Sequence, residues 1–152
     1  MKKAMLFVAL AVVACAKPEA DKTATDSAAM AAGPPPLTAA DLAGTWSGVI
    51  LAEASDSVLS RFTVLSPTGM DSKTITEGTT DTVAVTHMID ADSIVATSVP
   101  YKDQMLPGKP QVTFRAVGRM MGGKLVGTST IMLASKPDSV LGRSRFEMTK
   151  SP

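Results

Sequence analysis

The sequence predicts an all-β fold: a small antiparallel up-and-down β-barrel of about eight strands behind a disordered N-terminal tether. Three observations predict it. Apolar residues from Thr45 onward recur with a period of two in short segments. Clusters of Gly, Pro, Asp and Ser divide those segments, and no helix-period run separates one hairpin from the next. By composition the chain divides into 1–14, 15–36 and 37–152: a leader, a cysteine with a polar tether, and one domain.

The leader begins with Lys2 and Lys3 and continues as the apolar run Met5 to Ala14, ending at Cys15, the only cysteine. About ten apolar residues are too few to span a bilayer, which needs roughly twenty. Val12-Val13-Ala14-Cys15 resembles a lipobox, the cleavage and lipidation signal of bacterial lipoproteins. The resemblance implies that Cys15 becomes the mature N-terminus and carries diacylglycerol on its thiol, with long acyl chains of the palmitate kind. Ala14-Cys15-Ala16 also offers the small residues of an ordinary secretory cleavage site. Residue 16 is Ala rather than Asp, and in that family's sorting pattern this implies the outer membrane, on its periplasmic or its surface side. Each buried acyl methylene contributes about 0.8 kcal/mol, so two or three chains hold a protein firmly.

Residues 16–36 contain no aromatic side chain and almost no large aliphatic one. Such a segment cannot bury enough apolar surface to offset its ordering entropy, and it reads as a tether with a reach on the order of 25 Å. Pro34, Pro35 and Pro36 stiffen its far end. Loss of the leader leaves thirteen basic residues against fourteen acidic ones. This near-balance gives no electrostatic footprint for nucleic acid.

In the domain, Thr38-Ala39-Ala40-Asp41 reads as a capped helical turn with Thr38 as N-cap. Strands are predicted at 45–52, 57–66, 72–77, 82–89, 93–99, 111–119, 124–133 and 140–149, the third being the weakest. Val112, Phe114, Ala116, Gly118 and Met120 share one face of their strand. Gln111, Thr113, Arg115 and Arg119 share the other, with Val117. Gly122-Gly123 between two alternating strands predicts a tight hairpin, because glycine enters positive φ without steric cost. Asp90-Ala91-Asp92 predicts another. Successive hairpins make a meander, and closing it removes its exposed edges.

Leu42-Ala43-Gly44-Thr45-Trp46-Ser47-Gly48 resembles the opening of a lipocalin-like, calycin-type barrel, where Gly-x-Trp begins the first strand after a helical turn. The resemblance covers the two ends of the domain. It implies that Trp46 closes one end of the barrel and that an arginine near the last strand, Arg145 or Arg143, packs across the indole. A guanidinium over an indole contributes about 0.5–2 kcal/mol. The mid-chain Thr-Asp-Tyr motif of kernel lipocalins is missing, and a single cysteine allows no internal disulfide.

His87 is the only histidine and shares a strand face with Val83, Val85 and Ile89. With no second histidine or cysteine beside it, it reads as a hydrogen-bonded residue of the core or cavity edge, not a metal ligand. Asp90 and Asp92 lack the further carboxylates of a calcium loop. Met120 and Met121 are adjacent on a strand, so they point to opposite faces and suit packing better than ligation of one ion. One histidine leaves few pairings for Ser47, Ser57, Ser60, Ser66, Ser93, Ser98 and Ser129, so no catalytic residue, metal or cofactor is assigned.

Two function classes remain. The first, which the lipocalin-like resemblance implies, is a lipid-anchored module whose barrel takes a small hydrophobic or lipid-like ligand. Its candidate cavity residues are Gly48, His87, Phe114, Gly118, Gly127, Gly142 and Ser144. The second is a non-enzymatic structural or protein-interaction lipoprotein with a filled barrel, the protease-inhibitor kind included, in which strand glycines mark bends. The volume of the interior separates the two.

Overall fold

A computed structural model describes residues 36–152, within one compact unit. The expected leader, Cys15 and nearly all of the tether lie outside the described residues. Helical turn α1 (Ala39–Leu42) opens the domain. The expected capping box forms: the Asp41 backbone N–H donates to the Thr38 hydroxyl, and the Asp41 carboxylate accepts from the Thr38 backbone N–H at 2.9 Å. The Thr38 hydroxyl also donates to that carboxylate at 2.6 Å, and this bond, followed by the one from the Thr38 N–H, holds the Asp41 carboxyl below the usual carboxylate range.

Nine strands follow: β1 (Gly44–Ala52), β2 (Val58–Ser66), β3 (Asp71–Thr76), β4 (Thr82–Asp90), β5 (Ser93–Ser98), β6 (Tyr101–Lys102), β7 (Gln111–Met121), β8 (Lys124–Leu133) and β9 (Lys136–Lys150). Every pairing is antiparallel. Neighbouring strands run β5-β4-β3-β2-β1-β9-β8-β7-β6, and β5 also pairs with β7. Eight strands thus form a closed ring. β6 resumes the line of β5, since both pair along β7.

The structure adds to the sequence-based strands in two places. β6 arises because Pro100, which has no N–H to donate, interrupts what would be a longer β5. At the break the Ser98 hydroxyl accepts from the Phe114 N–H at 2.9 Å, in place of a backbone carbonyl. The last strand begins at Lys136, not residue 140, with Ala134-Ser135 as the turn. Pro137 and Asp138 are accommodated because β1 ends opposite Ser144. Among the described residues, 136–143 therefore have no β1 partner whose ladder a proline would interrupt.

Both expected hairpin turns form. Gly122 and Gly123 have φ of 57° and 79°, and Ala91 stands at φ 53° between Asp90 and Ser93. The Ala91 carbonyl accepts from the Leu37 N–H at 3.0 Å, which fixes the start of the domain beside this turn. One end of the barrel therefore carries α1 and the β2–β3, β4–β5 and β7–β8 turns. The segments 53–57, 77–81, 99–110 and 134–135 lie at the other.

The first end is plugged. Leu42, Trp46, Val64, Ile94, Ala116, Leu125, Phe146 and Met148 form the buried cluster, and Trp46 is only 2% exposed. The Trp46 Nε1–H donates to the Leu42 carbonyl at 2.9 Å, so α1 sets the indole's orientation. The cation beside the indole is Lys150, not Arg143 or Arg145. Lys150 is the register partner of Trp46, and its Nζ lies 5.7 Å from the ring centroid. Arg143 and Arg145 alternate with the buried Ser144, Phe146 and Met148, and so face away from the indole. Arg145 instead donates to the Ala52 and Ser55 carbonyls and pairs with Asp56 at 2.6 Å, pinning the β1–β2 turn at the far end. Gly44 of the Gly-x-Trp motif has φ of 122°, and a Cβ there would meet Lys150 Cε at 2.8 Å. The motif's glycine thus serves both the backbone and the overlying lysine.

Candidate functional site: an apolar cavity in the barrel

Above the plug the barrel encloses a cavity of about 470 Å³. Inward residues of β2, β3, β4, β5, β7, β8 and β9 line it, and Val64, Ile94, Leu125 and Met148 are shared between its floor and the plug. The walls are chiefly aliphatic and aromatic, with hydroxyls from Thr74, Thr76, Ser129 and Ser144 among them. Tyr101 packs edge-on against Phe114 at 6.3 Å between centroids. Burial, then the nearby Asp103 charge, pushes its phenol up to about 12.

The mouth lies at the unplugged end, where Thr79, Asp81, Lys102, Asp103, Met105, Leu106 and Arg143 reach the cavity. Exposed apolar residues gather at this end. Val58, Leu59, Val99, Met105, Val140 and Leu141 are all more than two-fifths exposed, and they are six of the ten exposed large hydrophobics among the described residues. The other four, Leu65, Met70, Met88 and Met121, lie toward the plugged end. A second depression, of about 620 Å³, lies on the outer wall over β1, β2, β3 and β9. Its lining is mixed, with the exposed pairs Arg61–Glu77 at 4.0 Å and Lys124–Glu147 at 3.4 Å beside Val49, Phe62 and Ile75.

Of the sequence-based candidates, His87, Phe114, Gly118, Gly142 and Ser144 line the cavity. Gly48 and Gly127 do not. A Cβ on Gly48 would lie 2.6 Å from the Phe62 ring and 2.7 Å from Met148 Cβ, so that space is already occupied. Gly127 is the register partner of both Gly118 and Phe146, and the Phe146 ring fills the room the two glycines vacate. Gly48 and Gly127 thus accommodate the Phe62 and Phe146 rings and add nothing to the ligand space.

His87 is 7% exposed and fully hydrogen-bonded. Its Nδ1 lies 3.0 Å from the Gly69 carbonyl and its Nε2 2.9 Å from the Ser72 hydroxyl. A carbonyl only accepts, so Nδ1 carries the proton and Nε2 accepts from Ser72. Burial lowers the pKa of the ring against the opposing influence of the Gly69 carbonyl and Asp71. Above pH 6.5 the imidazole is therefore neutral, oriented by a main-chain carbonyl. Ser72, 5% exposed, was not among the serines marked by sequence. The inward alternation Ser72, Thr74, Thr76 was its only signal, and its pairing with His87 is set by the turn through Gly69.

No family model, curated protein or solved structure matches this chain. The reading of the site accordingly rests on its geometry and on the sequence.

Proposed function

We propose that this protein is a lipid-anchored bacterial lipoprotein of the outer membrane whose lipocalin-like barrel binds a small hydrophobic or lipid-like ligand. The observation that supports it most is the cavity. Its volume of about 470 Å³ lies in the range of ligand sites, roughly 300–1,000 Å³, and its lining is largely apolar. The apolar rim of Val58, Leu59, Val99, Met105, Val140 and Leu141 supports passage of a poorly soluble molecule through the mouth. Cys15 after a short apolar leader supports the anchor, which requires only membrane contact through lipid. No cofactor or catalytic residue enters this reading.

Titration of the purified protein with diphenylhexatriene, an apolar fluorophore dark in water, tests the cavity. Saturable fluorescence in the parent and its loss in Ser129→Trp, which fills the cavity from its wall, is the expected result. Absence of binding, with no lipid co-purifying in native mass spectrometry, favours the runner-up. That reading is a non-enzymatic protein-interaction module of the protease-inhibitor kind, and the exposed rim favours it as a docking surface. Metabolic labelling with a fatty-acid analogue tests the anchor separately: Cys15→Ser abolishes incorporation.

A further inference from the structure

Ser72 and His87 present a polar group of one defined hydrogen-bonding sense at the closed end of the cavity. Both are more than nine-tenths buried and both line the cavity, near Val64, Val85 and Ile94. The Gly69 carbonyl takes the Nδ1 proton, so Nε2 has only a lone pair, and the Ser72 O–H is spent on it at 2.9 Å. The Ser72 oxygen keeps its lone pairs. The unspent capacity of the pair is therefore to accept, and a ligand group beside it must donate.

Resting on the cavity reading above, we infer that Ser72 and His87 form a subsite for the hydroxyl of an apolar alcohol, whose hydrocarbon part runs from this end toward the mouth. The same geometry discriminates against other head groups. An ether or ester oxygen brings lone pairs against the Ser72 lone pairs, and turning the serine to donate to it would orphan Nε2 in a buried site. A carboxylate or phosphate would add an unpaired charge next to an uncharged imidazole. Charged side chains such as Lys102, Arg143, Asp81 and Asp103 occur at the mouth instead.

Displacement of diphenylhexatriene at pH 7.5 by 1-dodecanol and by its isomer 1-methoxyundecane tests the subsite, because the two share every atom but differ in the donor. The alcohol is expected to displace the probe at about three- to tenfold lower concentration, the range of one net hydrogen bond. Ser72→Cys, similar in shape, still donates to Nε2 but is a weak acceptor, so it lowers that ratio and leaves the ether unchanged. Ser144→Ala, three strands away round the barrel, keeps it. If Ser72→Cys does not fold, the double variant Ser72→Ala with His87→Leu, which removes both acceptors, abolishes the ratio instead. Equal displacement by the two isomers in the parent overturns the subsite while leaving the cavity intact. A preference that is undiminished in Ser72→Cys, or vanishes in Ser144→Ala, overturns it too. No binding of the probe at all removes the cavity reading and the subsite together.

Discussion

Lys150 and Trp46 face each other across the β1–β9 seam, with the ammonium 5.7 Å from the indole centroid. The same Nζ donates to the Asp41 carbonyl at 3.3 Å, so one side chain joins the last strand, the first strand and the helical turn. Trp46→Ala is expected to destabilise the barrel by about 3–5 kcal/mol, as truncation of a buried aromatic does. In a double-mutant cycle measured by urea unfolding, Trp46 and Lys150 should couple by about 0.5–1 kcal/mol. Coupling of Trp46 with Arg145 or Arg143 should be near zero. A larger value for either arginine would contradict the lysine assignment.

Gly127 and Gly142 offer a matched pair. A Cβ on Gly127 would collide with the Val117 carbonyl and press on the Phe146 ring, whereas one on Gly142 meets nothing within 4 Å. Gly127→Ala should therefore cost about 1–3 kcal/mol or more, and Gly142→Ala should be close to neutral. Thermal melts of the two variants side by side check the contrast.

Acid should weaken the fold through His87. Burial sets its folded pKa below 6.5, so between 6.5 and that lower value the unfolded chain takes up a proton that the native state refuses. Its influence is absent above pH 6.5, and stability falls as pH falls below it. Urea midpoints measured from pH 8 to pH 5 should decline in the parent. His87→Gln, starting from a lower midpoint, should follow a flatter line through the same window.

Tyr101, the only tyrosine, supplies a clean optical titration. Its phenolate absorbance at 295 nm should be half developed near pH 12 in the folded protein and near pH 10 in urea. The folded pKa is the higher one. The stabilisation from the neutral phenol is therefore complete below pH 10 and lost as pH climbs toward 12. A native midpoint at 10 would show that the ring is not buried against Phe114.

The β7–β8 hairpin was legible in the sequence because two local signals agree there: strict alternation on both sides and a Gly-Gly turn between. β6 was not, since two residues behind a proline carry no period. The lysine over Trp46 was hidden for a different reason. Its position follows from the register of strands far apart in the chain, and the lipocalin-like expectation of an arginine pointed to side chains that alternation turns outward. Likewise Gly48 and Gly127 looked like sources of cavity space, because composition does not reveal which neighbouring ring moves into a vacated position. Ser72 meets His87 through the β3–β4 pairing and the turn at Gly69, in the stretch where the periodic signal was weakest.

The seam between β1 and β9 also bears on how the chain is made. Ser47 and Ser151, 104 residues apart, meet there through their hydroxyls at 3.1 Å. A polypeptide delivered N-terminus first, from a ribosome or through a translocation channel, holds β1 with one naked edge until its final fifteen-residue strand has emerged. For most of that interval it is an open sheet able to pair with any other extended chain, which makes the wait for β9 the interval of greatest aggregation risk. Losing a few residues after Met148 should consequently harm assembly far more than losing the same number ahead of Leu37.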